Sequence, residues 1–373
     1  LHRGLLTTAL ALVLFGAALP VSAAPPQPVA LKLNEIQMVG AQASTKLAPS
    51  DAMLSLIKLG GAHDAEALDF GEAPLATQLD AGARVLTFDV AYDPKGGLFK
   101  GPAGASMADE LLDDDYVATM SQPGYKVIHV LDVDFKSSCM VFKACLGQVA
   151  AWSAKHPRHS ALVIVLHVDA NRTPMPGSTR PLPFDAAAAA ALDQEIGDVF
   201  PAAKLITPGQ IKGEHAALRD AVLAGGWPKL AEARGKVLFV LADSNAKRTA
   251  LYAAMPDHIG FVTADEASPD ASFIAIDDPV KEGARITAAV KAGFMVMTLA
   301  DDETVEARAN DTKRRDAAFA SGAQIILTDF PVADKKIGPY EVSVKDRRHI
   351  QCDAVIADCT AWAADASERA KFP

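Results

Sequence analysis

The sequence lacks the features that would make several common functions legible. It has no basic excess: Lys+Arg 36 against Asp+Glu 46 leaves a formal net charge of −10. An acidic chain offers no electropositive face for nucleic acid and no attraction to anionic lipid. No G-x-G-x-x-G or G-x-x-x-x-G-K-[ST] stretch is present, so nothing marks a phosphate-cradling loop. Ser44 sits outside any G-x-S-x-G elbow, which removes it as a nucleophile candidate. The four cysteines form no Cys-x-x-Cys pair and have no interleaved histidine, against a zinc cluster. Internal repeats are absent, and beyond the N-terminus no segment is long and apolar enough to span a bilayer.

What is present begins with a targeting pattern. His2 and Arg3 precede an apolar stretch from Leu5 to Leu19, and Val21-Ser22-Ala23 offers a small-x-small cleavage site. Residues 1–23 therefore read as a signal peptide and 24–32 as an extended, proline-containing leader. Residues 33–373 read as a single domain, exported to the periplasm or secreted. Export makes disulfides possible. Four cysteines allow three connectivities, and the local pairs Cys139–Cys145 and Cys352–Cys359 are the simplest.

The 373 residues, half of them hydrophobic, suffice for one large core. Eight short apolar runs recur, each ending in or soon followed by Gly or a polar residue: Leu33–Gly40, Arg84–Asp89, Lys126–Leu131, Ala161–His167, Lys236–Asp243, Ser272–Ile276, Gly293–Leu299 and Gln324–Thr328. Continuous apolar runs separated by helices predict parallel strands covered on both faces. Asp185 is placed to cap a helix starting at Ala186, Gly293 and Gly322 to end helices, and Glu303–Ser321 reads as one long helix. Eight such units predict a (β/α)₈ TIM barrel, with an open doubly wound sheet as the alternative. In a barrel the strand ends line the active face. That puts Gln42, Ala43, Thr87, Asp89, His129, Asp132, His167, Asp169, Asp243, Asp277, Thr298, Asp301, Thr328 and Asp329 around one mouth. Ser44 and Thr45 are expected to cap the following turn. His63, His156, His159, His215, His258 and His349 are expected on the surface, and Trp227 in packing.

The order of several motifs resembles the secreted bacterial calcium-dependent, phosphatidylinositol-specific phospholipase C family, a PLC-like phosphodiesterase barrel. The resemblance runs from about Leu33 to about Cys359. It rests on Leu33-Asn34-Glu35-Ile36-Gln37-Met38-Val39-Gly40, Gln78-Leu79-Asp80-Ala81-Gly82-Ala83-Arg84, Asp89-Val90 and His129-Val130-Leu131-Asp132-Val133-Asp134-Phe135. Cys139, Cys145-Leu146, Trp152-Ser153, His156-Pro157, Gly226-Trp227-Pro228, Glu306-Ala307-Arg308 and Thr328-Asp329-Phe330 continue it.

The resemblance implies a reaction in which a base deprotonates the inositol 2-hydroxyl for attack on phosphorus. Histidines protonate the leaving oxygen, and Ca²⁺ offsets the charge. The family places His-Asn after the first strand, Glu-x-Asp on the second, a second His on the third and a Glu on the fourth, with Lys or Arg on later strands. Here Gln42-Ala43 stands for His-Asn, Thr87 for the Glu with Asp89 kept, and His129 for the second His. His167 stands for the fourth-strand Glu, Asp169 for a Lys, and Met297-Thr298-Leu299 for the basic positions. His129 is thus the expected proton-transfer residue and Gln42 an inactive counterpart, with Thr87, Asp169 and Thr298 around a substrate. Ca²⁺ is implied, but most of its ligands are missing; Asp89, His167 and His129 would suit Zn²⁺ better.

The resulting expectation is an exported, phospholipase C-like phosphoric diester hydrolase with an impaired or altered site. Its substrate would be a small phosphodiester or phospholipid head group. The alternatives are a non-catalytic barrel that binds a ligand, a pseudoenzyme, and a glycerophosphodiester phosphodiesterase-like hydrolase.

Overall fold

The computed structural model describes residues 30–168, 170–345, 349–360 and 362. The signal-peptide reading of 1–23, most of the leader and Asp169 lie outside these residues. Ten strands occur in chain order: β1 (Ile36–Ala41), β2 (Val85–Ala91), β3 (Lys126–Val127), β4 (Leu162–Val168), β5 (Val237–Leu241), β6 (Phe261–Val262), β7 (Phe273–Ala275), β8 (Met295–Leu299), β9 (Ile325–Thr328) and β10 (Gln351–Cys352). Eight of them are parallel neighbours in the order β6-β5-β4-β2-β1-β9-β8-β7. A parallel bridge between Thr263 and Phe273 joins β6 to β7 and closes the ring. The fold is a (β/α)₈ barrel.

Strand periodicity explains the two main cores. Leu162, Ile164 and Leu166 of β4 pack with Phe142, Leu146, Leu192 and Ile196 of the flanking helices Phe142–Lys155 and Ala186–Val199. The alternate residues Val163 and Val165 join Val85, Leu238 and Val240 in a separate cluster. Each fully buried side chain of this size contributes roughly 1.5–3 kcal/mol. Asp185 caps its helix through Ala187 N and Ala188 N, both at 3.0 Å. Gly40 is required by close approach: a Cβ there would lie 2.0 Å from Val85 O. Trp227 is buried against Phe261 and Phe273, as packing predicts.

Two expectations are corrected. Lys126–Leu131 is not a barrel strand: only Lys126 and Val127 pair, antiparallel, with the end of β2. The opposite edge of β2, where the next barrel strand must pair, is taken by β4, from Val85↔Val163 to Val90↔Val168. The barrel strand that replaces it in the count is β6, whose two residues are too few to show as an apolar run. The helix expected over Glu303–Ser321 is two helices, Val305–Ala309 and Lys313–Ser321, separated by Asn310 at φ 48°. Lys313, Arg314 and Arg315 occupy the first turn of the second helix.

The amino end of the barrel is closed by a polar plug. Arg84, wholly buried, donates to Leu79 O at 3.0 Å, Ala83 O at 2.7 Å and Ser160 Oγ at 2.9 Å. His159 is buried there rather than on the surface. It bonds Ser153 Oγ at 2.7 Å and Ser160 O at 2.6 Å. Burial and the Arg84 charge lower its pKa to about 4. Burial likewise lowers His349 to about 4, with Arg84 adding to the effect. Both local cysteine pairs are bonded, Cys139 to Cys145 and Cys352 to Cys359.

Candidate active site

The carboxyl ends of the strands open onto two adjoining cavities. The larger, about 430 Å³, is lined by Gln42, His167, Asn171, Asp243, Ser244, Arg248, Asp277 and Thr298 among others. The second, about 360 Å³, is lined by Asp89, His129, His167, Asn171 and Arg172 with neighbouring apolar residues. His167 and Asn171 belong to both. Volumes of this size suit a small ligand.

Two His–carboxylate pairs face the second cavity. Asp89 and His167 are register partners on β2 and β4, which brings His167 Nδ1 to 3.1 Å from Asp89 Oδ1. His129 lies in the excursion after β3, where Val130 and Asp134 form an antiparallel bridge that folds the chain back on itself. That turn sets Asp134 Oδ2 2.7 Å from His129 Nδ1. The imidazoles remain reachable, with side-chain exposures of 25% for His129 and 42% for His167. Burial works against protonation of His129. The Asp134 hydrogen bond and the Asp89 charge outweigh it, so its pKa is raised.

The same excursion is anchored by Asp132, held at φ 68°. Its carboxylate accepts from Ala103 N at 2.9 Å, and from Thr179 N and Thr179 Oγ1, both at 2.8 Å. Asp132 is therefore a joint between three loops. Gln42 donates through Nε2 to Asp301 O at 3.3 Å and lines the larger cavity. Thr298 is buried in that lining with its hydroxyl unpartnered; Thr87 is likewise buried and unpartnered, two residues deeper than Asp89. Ser44 does not cap the turn: its Oγ accepts from Thr87 N at 2.9 Å and ties the first loop to β2. Arg248 lines the larger cavity but is engaged by Asp243 Oδ2 and Val168 O, both at 3.1 Å.

Behind the mouth lies a group of acids that the sequence did not single out as a unit. Asp301 accepts from Thr328 Oγ1 and from Asp329 N. Burial and mutual repulsion hold the Asp301–Asp329 pair above the usual carboxylate range. Burial, reinforced by Asp329 and Asp301, also raises Glu72 well above its ordinary value. Lys46 is the buried cation among them, 3.3 Å from Asp134. Sequence reasoning missed Lys46 and Glu72, because each stands on a loop with no strand-end signal.

The site does not fit calcium. Ca²⁺ takes six to eight oxygens. At the positions the family uses, Asp89 supplies one carboxylate, and it is turned to His167. Zinc fits no better: the carboxylate expected as its third ligand, Asp89, is the hydrogen-bond partner of His167 Nδ1. Among the described residues no three His, Cys, Asp or Glu side chains are grouped to hold a metal.

A closed (β/α)₈ barrel with oriented imidazoles at its carboxyl mouth has the architecture in which barrel enzymes place their active sites. Comparison with known proteins narrows it. The family described as phosphoinositide phospholipase C, Ca²⁺-dependent, matches residues 31–354, and the chain belongs to that family. Among solved structures, the chain is similar to the calcium-dependent phosphoinositol-specific phospholipase C from a Gram-negative bacterium, Pseudomonas sp. One form, a myoinositol complex, has 16% identity and TM-score 0.52, covering 88% of this chain and 97% of that one. A second crystal form has 15% identity and TM-score 0.51, with the same coverage. At these identities the likeness supports the fold. No curated protein matches the sequence.

Proposed function

We propose that this chain is an exported phosphodiesterase of phospholipase C type that transfers protons through histidines and needs no calcium. The observation that carries the reading is the His129–Asp134 pair, 2.7 Å apart at the mouth of a barrel of this family. The substrate class is a phosphoric diester whose hydroxylated head group fills the larger cavity, where amide and hydroxyl groups of Gln42, Asn171, Ser244 and Thr298 can bond it. A head-group hydroxyl next to the ester attacks phosphorus. Its proton passes to His167, the P–O bond to the departing alcohol breaks, and His129 gives that oxygen a proton. The raised pKa of His129 suits it to the acid role. The products are a cyclic phosphodiester and a free alcohol. Two disulfides fit an oxidising compartment, and the N-terminal targeting pattern supplies the route.

The test is hydrolysis of phosphatidylinositol, glycerophosphoinositol and a chromogenic phosphodiester, with EDTA and with added Ca²⁺. Cleavage should survive EDTA and fall by about 10²–10⁴-fold in His129→Ala. Cleavage that His129→Ala leaves unchanged, or that appears only with Ca²⁺, overturns the mechanism. The bond from Gln42 into the rim at Asp301 O favours a second reading, a barrel that binds a polyol without cleaving it. Saturable inositol binding with no turnover on any of the three substrates would select that reading.

A further inference from the structure

The loop after β1 has no titrating group at Gln42 and Ala43, yet four residues past Gln42 it delivers Lys46 into the interior. The Lys46 side chain is fully enclosed, as is that of Asp134. A buried ammonium needs its donors met. Nζ donates to Leu68 O at 2.7 Å and Phe70 O at 2.6 Å, and stands 4.2 Å from the centroid of the Phe70 ring. It also faces Asp134 Oδ2 at 3.3 Å. The same oxygen meets His129 Nδ1 at 2.7 Å, while Asp134 Oδ1 has no partner. One carboxylate oxygen is thus shared between an ammonium and an imidazole.

The backbone fixes this arrangement. Lys46 and Ser137 form an antiparallel bridge, Leu47 N donates to Lys136 O at 3.1 Å, and Ser138 N to Thr45 O at 2.7 Å. The loop with the cation and the loop with the carboxylate are zipped together.

We propose that Lys46 is a positioning residue for His129: it aims Asp134 at the imidazole and takes up part of its charge, so that the ring can release its proton as well as hold it. The inference rests on the reading of His129 as the proton-transfer group. Without the ammonium, the whole charge of Asp134 would act on the ring and lock it as imidazolium. The other charged groups around His129 are Asp89 on β2 and Asp329 after β9, with Arg172 and His167 lining the same cavity. Glu72 and Asp329 are the further acids whose fields reach Lys46. The Lys46 charge opposes the rise that Asp134 and Asp89 impose on His129.

The test is an NMR titration of the His129 ring. Lys46→Gln, whose amide can still donate to the Leu68 and Phe70 carbonyls, should raise the His129 pKa by about one unit, a tenfold gain in proton affinity. The acid-group limb of the pH–rate profile should move with it. Lys46→Arg, which keeps the charge, should restore most of the wild-type value. Asp134→Asn should lower the pKa, and in that background Lys46→Gln should have little further effect. An unmoved titration in a folded Lys46→Gln overturns the proposal, leaving Lys46 a structural ion. An equal shift with and without the Asp134 carboxylate overturns it too, because Lys46 would then act directly. Should Lys46→Gln fail to fold, Lys46→Met/Asp134→Asn removes both buried charges together and is compared with Asp134→Asn. Equal titrations support coupling through Asp134, and unequal ones overturn it. None of these titrations needs turnover, so a wild type that cleaves nothing overturns the phosphodiesterase reading, whereas an unmoved ring overturns this one alone.

Discussion

The two ends of the barrel each hold histidine in a largely enclosed setting, and they treat it in opposite ways. At the mouth, His129 has a carboxylate for a partner and its pKa is raised. At the base, His159 has only a hydroxyl and a carbonyl, with the Arg84 charge nearby, and its pKa falls to about 4. Burial disfavours the imidazolium at both ends. The partner decides whether that cost is overcome. A histidine that holds its proton more tightly than a free imidazole therefore stands at one end, and a structural histidine that resists protonation at the other.

The sharpest way to break this comparison is to remove both rings. His129→Ala should lower kcat by about 10²–10⁴-fold, equivalent to about 3–5.5 kcal/mol of barrel-mouth chemistry, with little change in melting temperature. His159→Ala should leave kcat nearly unchanged and cost stability, about 1–3 kcal/mol for the stranded Ser153 and Ser160 groups. Equal losses of kcat in the two variants would erase the distinction between the ends.

Next in size is the contrast between two of the buried cations, Lys46 and Arg84. Lys46→Met removes one partner of a buried ion pair, leaving the Asp134 carboxylate only the His129 ring, and should destabilise the fold by about 3–5 kcal/mol. Arg84 has no carboxylate within bonding distance among the described residues, so Arg84→Met should cost less, about 1–3 kcal/mol, from the three acceptors it abandons. Urea midpoints measure both, and a larger loss at Arg84 would contradict the assignment.

How much of this could be read from the residues alone differs between fold and site. The apolar runs of β1, β2, β4, β5, β7, β8 and β9 were all legible, because strands buried on both faces must be continuously apolar. The third run was misplaced and β6 was missed, because neighbour choice in a sheet depends on which edge is already occupied. His129, His167 and Asp89 were found from strand ends and family order, but their pairing was not. Asp134 is five residues from His129, and only the reversal at Val130–Asp134 turns it back onto the ring.

The smallest expected effect is the pH dependence of stability, where the ends pull in opposite directions. His159 and His349 have folded pKa values of about 4, below the usual 6.5. Between those values the unfolded chain binds more protons than the native one, so stability is lost as pH falls from about 6.5 toward 4. For His159 this is on the order of 3 kcal/mol at most. Asp353, raised by burial to about 6, works against that slope below pH 6. At the mouth, His129, Glu72 and the Asp301–Asp329 pair are raised. There the native chain binds the extra protons, so the contribution is present at low pH and lost as pH rises through the raised values. Urea midpoints across pH should trace a dome. His159→Gln should flatten its acid side and Asp329→Asn part of its alkaline side, and a dome unchanged in either variant would dissociate that end from the slope.

The amino-acid sequence by itself determined the barrel class and the family, because both rest on patterns that are local or ordered along the chain. Periodic apolar runs, helix caps and a fixed succession of motifs survive without three-dimensional information. Tertiary structure alone decided what the strand ends can do. Gln42 became a rim contact, Asp89 the partner of His167, and Lys46 and Asp134 a shared-oxygen support for His129. Proton affinity depends on neighbours within a few ångströms and on burial, and distant segments of the chain supply both.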